Sequence, residues 1–131
     1  EIKVDEIDVD IYIPFYSELP TIDKIKDYAA IVEGFKVVKP EALLILKQAA
    51  EASRSNTEKG LKDRIDIMDL LLKCSIDFAE YINLIEKEKL NNFKRRLLDI
   101  VSKFNEPKYL DLNPRQFKLK RGELIKKIKA V

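Results

Sequence analysis

The feature that most constrains this chain is the helical spacing of its apolar residues, which begins at Pro40 and continues almost to the C-terminus. Apolar residues recur there every three or four positions, the period of an amphipathic α-helix. Only 3 of the 131 residues are Gly, and the hydrophobic fraction of 46% is sufficient for the core of one domain. We therefore expect an α+β chain that is mostly α-helical.

Turn-forming residues divide this region into a predicted bundle of about four to five helices. The predicted helices span about 40–52, 61–74, 76–89, 91–104 and 114–131. The third and fourth are either separate or one continuous helix. Asn113 is the predicted N-terminal cap of the last helix, and Gly122 should bend or split that helix.

The residues before Pro40 follow a different pattern. Residues 2–13 alternate apolar and polar side chains, which predicts a half-buried β-strand. A short helix capped by Thr21 and a β-hairpin around Glu33-Gly34 should follow. Because the strand begins at once and no initiator Met precedes it, we expect the chain to be the later part of a longer protein.

The composition excludes several classes of site. The chain has no His and a single Cys, Cys74, so zinc sites and His-based catalysis are excluded, and so is an internal disulfide. No apolar run approaches the length of a transmembrane helix, and the first residues do not resemble a signal peptide. We expect a cytoplasmic protein that does not interact with membranes.

Positive charge is concentrated in the last third of the chain. Residues 1–86 hold 11 Lys and Arg against 18 Asp and Glu, whereas residues 87–131 hold 14 against 5. Such a segment indicates either a polyanionic partner or a well-solvated helix surface. The basic runs 94–96 and 118–121 alternate with Tyr109 and Phe117. This pattern suggests either a platform for single-stranded nucleic acid or, as is more common for aromatic residues at such spacing, two core residues.

Four charged residues interrupt the apolar faces of the first two predicted helices. Lys47 and Arg54 are seven residues apart, so they should project in one direction from the apolar stripe of the first helix. Asp63 and Asp66 share a face of the second helix. Since charges within apolar surfaces need partners, the four residues indicate either a site for an extended anion or ion pairs between antiparallel helices.

The same stretch resembles part of a known family. The resemblance is carried by Pro40-Glu41-Ala42-Leu43-Leu44, by Lys47 and Arg54, and by Lys62-Asp63-Arg64-Ile65-Asp66-Ile67 with Leu70 and Leu71. In order, spacing and helix placement these residues are similar to the lysine, arginine and K-D-x-x-D stretch of the nucleotidyltransferase superfamily. The similar members are abortive-infection toxins of the AbiEii type and related archaeal nucleotidyltransferases.

The resemblance implies transfer of a nucleotide from an NTP to an RNA or protein acceptor, with Mg²⁺ as cofactor. Residues 1–39 would be the last strands of the nucleotidyltransferase α/β core, and residues 40–131 its helical C-terminal region. The implied residues are Asp10, Lys47 and Asp63 for catalysis, Lys47, Arg54 and Asp66 for nucleotide binding, and Asp8 and Asp10 for Mg²⁺.

One departure from the family concerns its first motif, a Gly-Ser pair followed by paired acids, because no Gly-Ser dipeptide occurs in this chain. Asp8-Val9-Asp10 is then either the paired-acid motif itself or the later strand that carries the third carboxylate, unless its two acids only form the solvated face of a strand. The 37 residues from Asp10 to Lys47 favour the later strand. On its own, the chain is therefore expected not to catalyse the reaction.

Two alternatives to an enzyme remain. The first is a non-catalytic helical module that binds nucleic acid or a partner protein through its basic third. The second is a structural role, in which the helices pack on an antitoxin-like partner or form a homodimer. An apolar stripe that could serve a core or an interface consists of Leu90, Phe93, Leu97, Ile100, Val101 and Phe104.

Overall fold

The computed structural model describes residues 38–131 in full and, before them, only the backbone of short strands. The strands are β1 (Ile2–Val4), β2 (Ile7–Val9), β3 (Ala29–Val32) and β4 (Phe35–Val38). The helices are α1 (Pro40–Ser53), α2 (Glu58–Lys73), α3 (Phe78–Lys87), α4 (Phe93–Lys103) and α5 (Pro114–Lys129). A short 3₁₀ turn, Pro107–Leu110, connects α4 to α5. The predicted mostly helical chain with a five-helix C-terminal region is confirmed.

The four strands form two separate antiparallel pairs. β1 pairs with β2, with Ile2 opposite Val9, and β3 pairs with β4, with Val32 opposite Phe35. The second pair lies where the hairpin around Glu33-Gly34 is predicted. Much of the strand predicted over residues 2–13, and the helix predicted to follow Thr21, lie outside the described residues.

Helix α1 is the central element of the bundle, since it packs against α2, α3 and α4. It begins with Pro40, whose fixed φ suits the first helical position. Most of its circumference is covered, so that even the polar Gln48 and Glu51 are buried. Leu43 and Lys47 are only half-buried. The side of α1 that carries Leu43 and Lys47, which the sequence pattern places in the apolar stripe, is therefore more open to solvent than the side that carries Gln48 and Glu51.

Side-chain caps define where three of the helices start. Thr57 accepts a hydrogen bond from the backbone N–H of Gly60 at the start of α2, and Asp77 accepts two at the start of α3. Asn113 and Gln116 form a reciprocal capping box at α5, which confirms the predicted cap. These bonds satisfy backbone donors that have no partner within the helix.

Two predictions about helix breaks are settled by the backbone. Helices α3 and α4 are separate, because the chain leaves α3 at Lys87 and Lys89 adopts a left-handed φ of 60°. The prediction that Gly122 bends or splits the last helix is wrong, since α5 runs through it without interruption. A Cβ at Gly122 would meet no atom within 4 Å.

Gly60, near the start of α2, is required by a close backbone approach. A Cβ at this position would lie 2.2 Å from the carbonyl oxygen of Arg54 and 2.8 Å from that of Ser55. The loop between α1 and α2 therefore folds directly over the first turn of α2. This contact fixes where the end of α1 lies relative to α2.

The core of the described residues is a single cluster that draws on all five helices. The apolar stripe of α4 belongs to it, with Leu97 and Val101 fully buried, so this stripe is not a free interface. Phe117 of α5 is also buried and contacts Phe104 edge to face, with the ring centroids 5.9 Å apart, so of the two alternatives for Phe117 the structure shows a core residue. Of the helices in the described part of the chain, none combines the length and apolar character needed to cross a bilayer.

Candidate functional site

The two predicted cation and carboxylate pairs lie between α1 and α2. Lys47 donates to Oδ2 of Asp66 across 3.5 Å, and the lysine side chain is 19% exposed. Burial raises the pKa of the Asp66 carboxyl, and the nearby Lys47 opposes that rise. The pair is thus partly desolvated and lies on the more open face of α1.

Arg54 forms the stronger contact with α2. Its Nε and Nη2 donate to the two carboxylate oxygens of Asp63 at 2.6 and 2.7 Å, a bidentate arrangement. The Asp63 side chain is only 3% exposed, whereas that of Arg54 is 42% exposed. Arg54 follows the last residue of α1, so it does not share one helical face with Lys47 as predicted.

The structure therefore brings the four predicted charges together as two ion pairs, Lys47 with Asp66 and Arg54 with Asp63. Since Arg54 engages both oxygens of Asp63, this carboxylate does not fit a Mg²⁺ site. Within the described part of the chain, no group of three or more Asp, Glu or Cys side chains is placed to hold a metal ion. Asp8 lies in β2 opposite Lys3, and Asp10 lies outside the described residues.

A second charged cluster surrounds Glu51, near the end of α1. The residue is only 4% exposed, and its two carboxylate oxygens face different helices. Arg64 of α2 donates to Oε1 at 3.1 Å, and Arg96 of α4 donates to Oε2 at 3.3 Å. Arg64 also donates to the backbone oxygen of Ser55 at 2.9 Å. One buried carboxylate thus joins three helices through two guanidinium groups.

A cleft of ≈ 410 Å³ opens beside this cluster, between the end of α1 and α4. We call it the arginine cleft, and its lining residues are Glu51, Ser55, Arg95, Arg96, Asp99 and Ile100. Arg95 is exposed and forms no ion pair within the described residues. The cleft combines a buried acid, an exposed acid, two arginines and a hydroxyl in a volume typical of small-molecule sites.

The sequence contains a signal for the Glu51 cluster that pattern reasoning missed. Glu51 follows the buried Leu44 by seven residues and therefore occupies the same face of α1. A carboxylate on a buried face requires cations nearby. Sequence alone could not show that Arg64 and Arg96 supply them, because they lie 13 and 45 positions away.

A third charged surface lies along α5. Four of its exposed cations share one face, opposite the buried Phe117, Leu124 and Ile128. We call this surface the basic ridge, and it consists of Arg115, Lys118, Lys126 and Lys129. It extends over about 21 Å of helix at 1.5 Å per residue.

Comparison of the chain with protein-family models, with curated proteins and with solved structures gave no match.

Proposed function

We propose that the helical region, residues 40–131, binds nucleic acid through the basic ridge of α5, as the acceptor-binding part of a nucleotidyltransferase-like protein. The observation that carries the proposal is the charge of α5. Its 16 residues include seven Lys and Arg but a single acid, Glu123. No ion pair with a carboxylate is formed by these cations within residues 38–131.

The geometry of the ridge suits a phosphate backbone. Its cations extend outward from one helical face, and a chain of phosphates contacts such a row without any specific base contact. Gly122 lies on the same face between Lys118 and Lys126, and a Cβ there would meet nothing within 4 Å. A missing side chain at the centre of the ridge leaves room for the close approach of a backbone.

We expect RNA binding that weakens steeply with salt, because each bound cation releases a counterion from the nucleic acid. In the Lys118→Gln/Lys126→Gln double variant, the slope of log affinity against log salt should decrease by roughly 1 per lysine. Fluorescence anisotropy with a labelled single-stranded RNA, between about 50 and 200 mM salt, measures this slope.

A matched control removes two exposed lysines from α2, in the Lys59→Gln/Lys73→Gln variant. It changes the net charge by the same amount and should retain the wild-type slope. If both double variants lose RNA affinity equally, the loss reflects the lower net charge of the protein and not the position of the lysines on the ridge. An absence of binding at low salt would contradict the proposal.

The nucleotide-handling half of the proposal rests on the resemblance of residues 40–73. Lys47 would contact the triphosphate as a point charge and Arg54 would support it, while Asp63 and Asp66 hold the two cations in place. Mg²⁺ on Asp8 and Asp10 would stabilise the attacking and leaving oxygens. The half-buried position of Lys47 on the open face of α1 favours this role, because an ammonium there is partly desolvated yet accessible.

Lys47→Ala, made in the full-length protein, should abolish nucleotidyl transfer and lower NTP affinity at least about tenfold, which corresponds to one lost charge-assisted contact. Equilibrium binding of a labelled NTP and a transfer assay measure the two effects. Lys59→Ala, which removes an exposed lysine of the same helix pair, is the control. Unchanged binding and transfer would show that Lys47 has a structural role, which includes its ion pair to Asp66.

A further inference from the structure

Cations outnumber carboxylates around the arginine cleft once the residues that pair with its two acids are counted. Glu51 is engaged by Arg64 and Arg96, so one buried acid serves two guanidinium groups. Arg95 adds a third cation with no carboxylate partner among the described residues. Asp99, the other acid of the lining, pairs with Lys103 at 3.2 Å. The two arginines and two acids of the lining balance, and the excess of positive charge comes from Arg64 and Lys103, which pair with these acids from outside the lining.

The backbone of α4 increases this excess. The first turn of α4 contains Lys94, Arg95 and Arg96 and no acidic residue. The N-terminus of a helix has a partial positive charge, so cationic side chains in the first turn are repelled by it. Asn92, the residue at the cap position, makes no side-chain hydrogen bond to the helix. An anion beside Arg95 and Arg96 would interact favourably with both the side chains and the helix terminus.

The other residues of the cleft indicate the size and type of the anion. The volume of ≈ 410 Å³ is more than a bare phosphate requires and lies within the range of small-molecule sites. Ser55 offers a hydroxyl at one side and Ile100 an apolar surface at another. A phosphoryl group attached to a small organic group would contact both the Ser55 hydroxyl and the apolar surface of Ile100.

We propose that the arginine cleft binds a dianionic phosphoryl group, supplied by a phosphate monoester or by free phosphate. Arg95 and Arg96 bind the phosphoryl oxygens, because the planar guanidinium fork matches two of them at once. Ser55 donates its hydroxyl to a third oxygen. The site is separate from the basic ridge, and the inference does not depend on nucleic-acid binding by α5.

Glu51 acts as a positioning residue in this arrangement. Arg96 uses one N–H group for the carboxylate, and its remaining donors stay available to a ligand. Arg64 holds the backbone of Ser55 at the same time, through the bond from its Nη1 to the carbonyl oxygen. The buried carboxylate therefore fixes one wall of the cleft before the anion arrives.

Titration calorimetry with adenosine 5′-monophosphate, inorganic phosphate and adenosine tests the proposal. The first two ligands should bind to the whole chain and adenosine should not. Arg95→Ala should lower the affinity for both anions at least tenfold, whereas Arg95→Lys should lower it less, because it retains the charge without the fork. Arg115→Ala removes an exposed arginine of α5 and should leave both affinities unchanged.

The outcomes separate the two sources of the phosphoryl group and the two proposals. Tighter binding of the monophosphate assigns the cleft to a phosphate monoester, and equal affinities assign it to free phosphate. If neither anion binds, or if Arg115→Ala weakens binding as much as Arg95→Ala, the cleft is not a phosphoryl site. Lys118→Gln/Lys126→Gln should weaken RNA binding while leaving the affinity for the monophosphate intact, so either proposal can fail without the other.

Discussion

Replacing Glu51 with Gln should lower the free energy of unfolding by about 2–4 kcal/mol. The carboxylate is almost fully buried and engages Arg64 and Arg96, which belong to two other helices. The amide cannot neutralise two guanidinium groups, and removing one partner of a buried pair typically costs more than the pair contributes. The arginine side chains are 28% and 35% exposed, so water screens part of the loss.

Urea denaturation at neutral pH measures this effect, provided that the slope of the unfolding free energy against urea concentration is the same in the variant and the wild type. Glu86→Gln is the matched control, since Glu86 is an exposed carboxylate on α3. Its effect should remain within about 0.5 kcal/mol. If Glu51→Gln costs no more than the control, the cluster does not hold the three helices together.

The second large effect is expected at Gln48, which lies in the centre of the core. Its Nε2 donates to the carbonyl oxygen of Phe93 at 3.0 Å, and its Oε1 accepts a hydrogen bond from the hydroxyl of Tyr81. Gln48→Leu preserves the volume but leaves the buried hydroxyl without a partner and removes one bond from the carbonyl. Because each unpaired buried group costs about 1–3 kcal/mol, the free energy of unfolding should fall by about 2–4 kcal/mol.

A double-mutant cycle isolates this network. Adding Tyr81→Phe to Gln48→Leu removes the orphaned hydroxyl and should restore at least about 1 kcal/mol, since replacing both partners by apolar groups is nearly neutral. Burial raises the pKa of the Tyr81 hydroxyl, more than the bond to Gln48 lowers it, so the group stays protonated at neutral pH. Additive losses in the two single variants would show that the bond contributes nothing specific.

Glu51 and Gln48 illustrate which buried polar residues the sequence pattern does not reveal. Lys47, Arg54, Asp63 and Asp66 stand out in the pattern because they interrupt apolar faces, and the structure does pair them. Gln48 and Glu51 are also buried, yet they do not stand out. A helix that is covered by three neighbours buries positions that look like a solvent-facing side when its own periodicity is considered alone.

The helices themselves were predictable because their determinants are local. Pro40 and Asn113 mark two helix starts at the residues that the structure confirms. The prediction for Gly122 failed because the cost of one helical glycine, about 1 kcal/mol, is small compared with the burial of Phe117, Leu124 and Ile128 on the same helix. Tertiary packing offsets the weak propensity of a single residue.

The sequence by itself determined the mostly helical class, the approximate positions of the helices, the starts of α1 and α5 and the concentration of positive charge near the C-terminus. All of these depend on residues that are close together along the chain. Only the tertiary structure decided which charges meet, because Glu51, Arg64 and Arg96 are distant in sequence and approach one another through helix packing. It also placed Phe117 in the core and left the ridge of α5 exposed, since burial depends on the neighbours that cover a face.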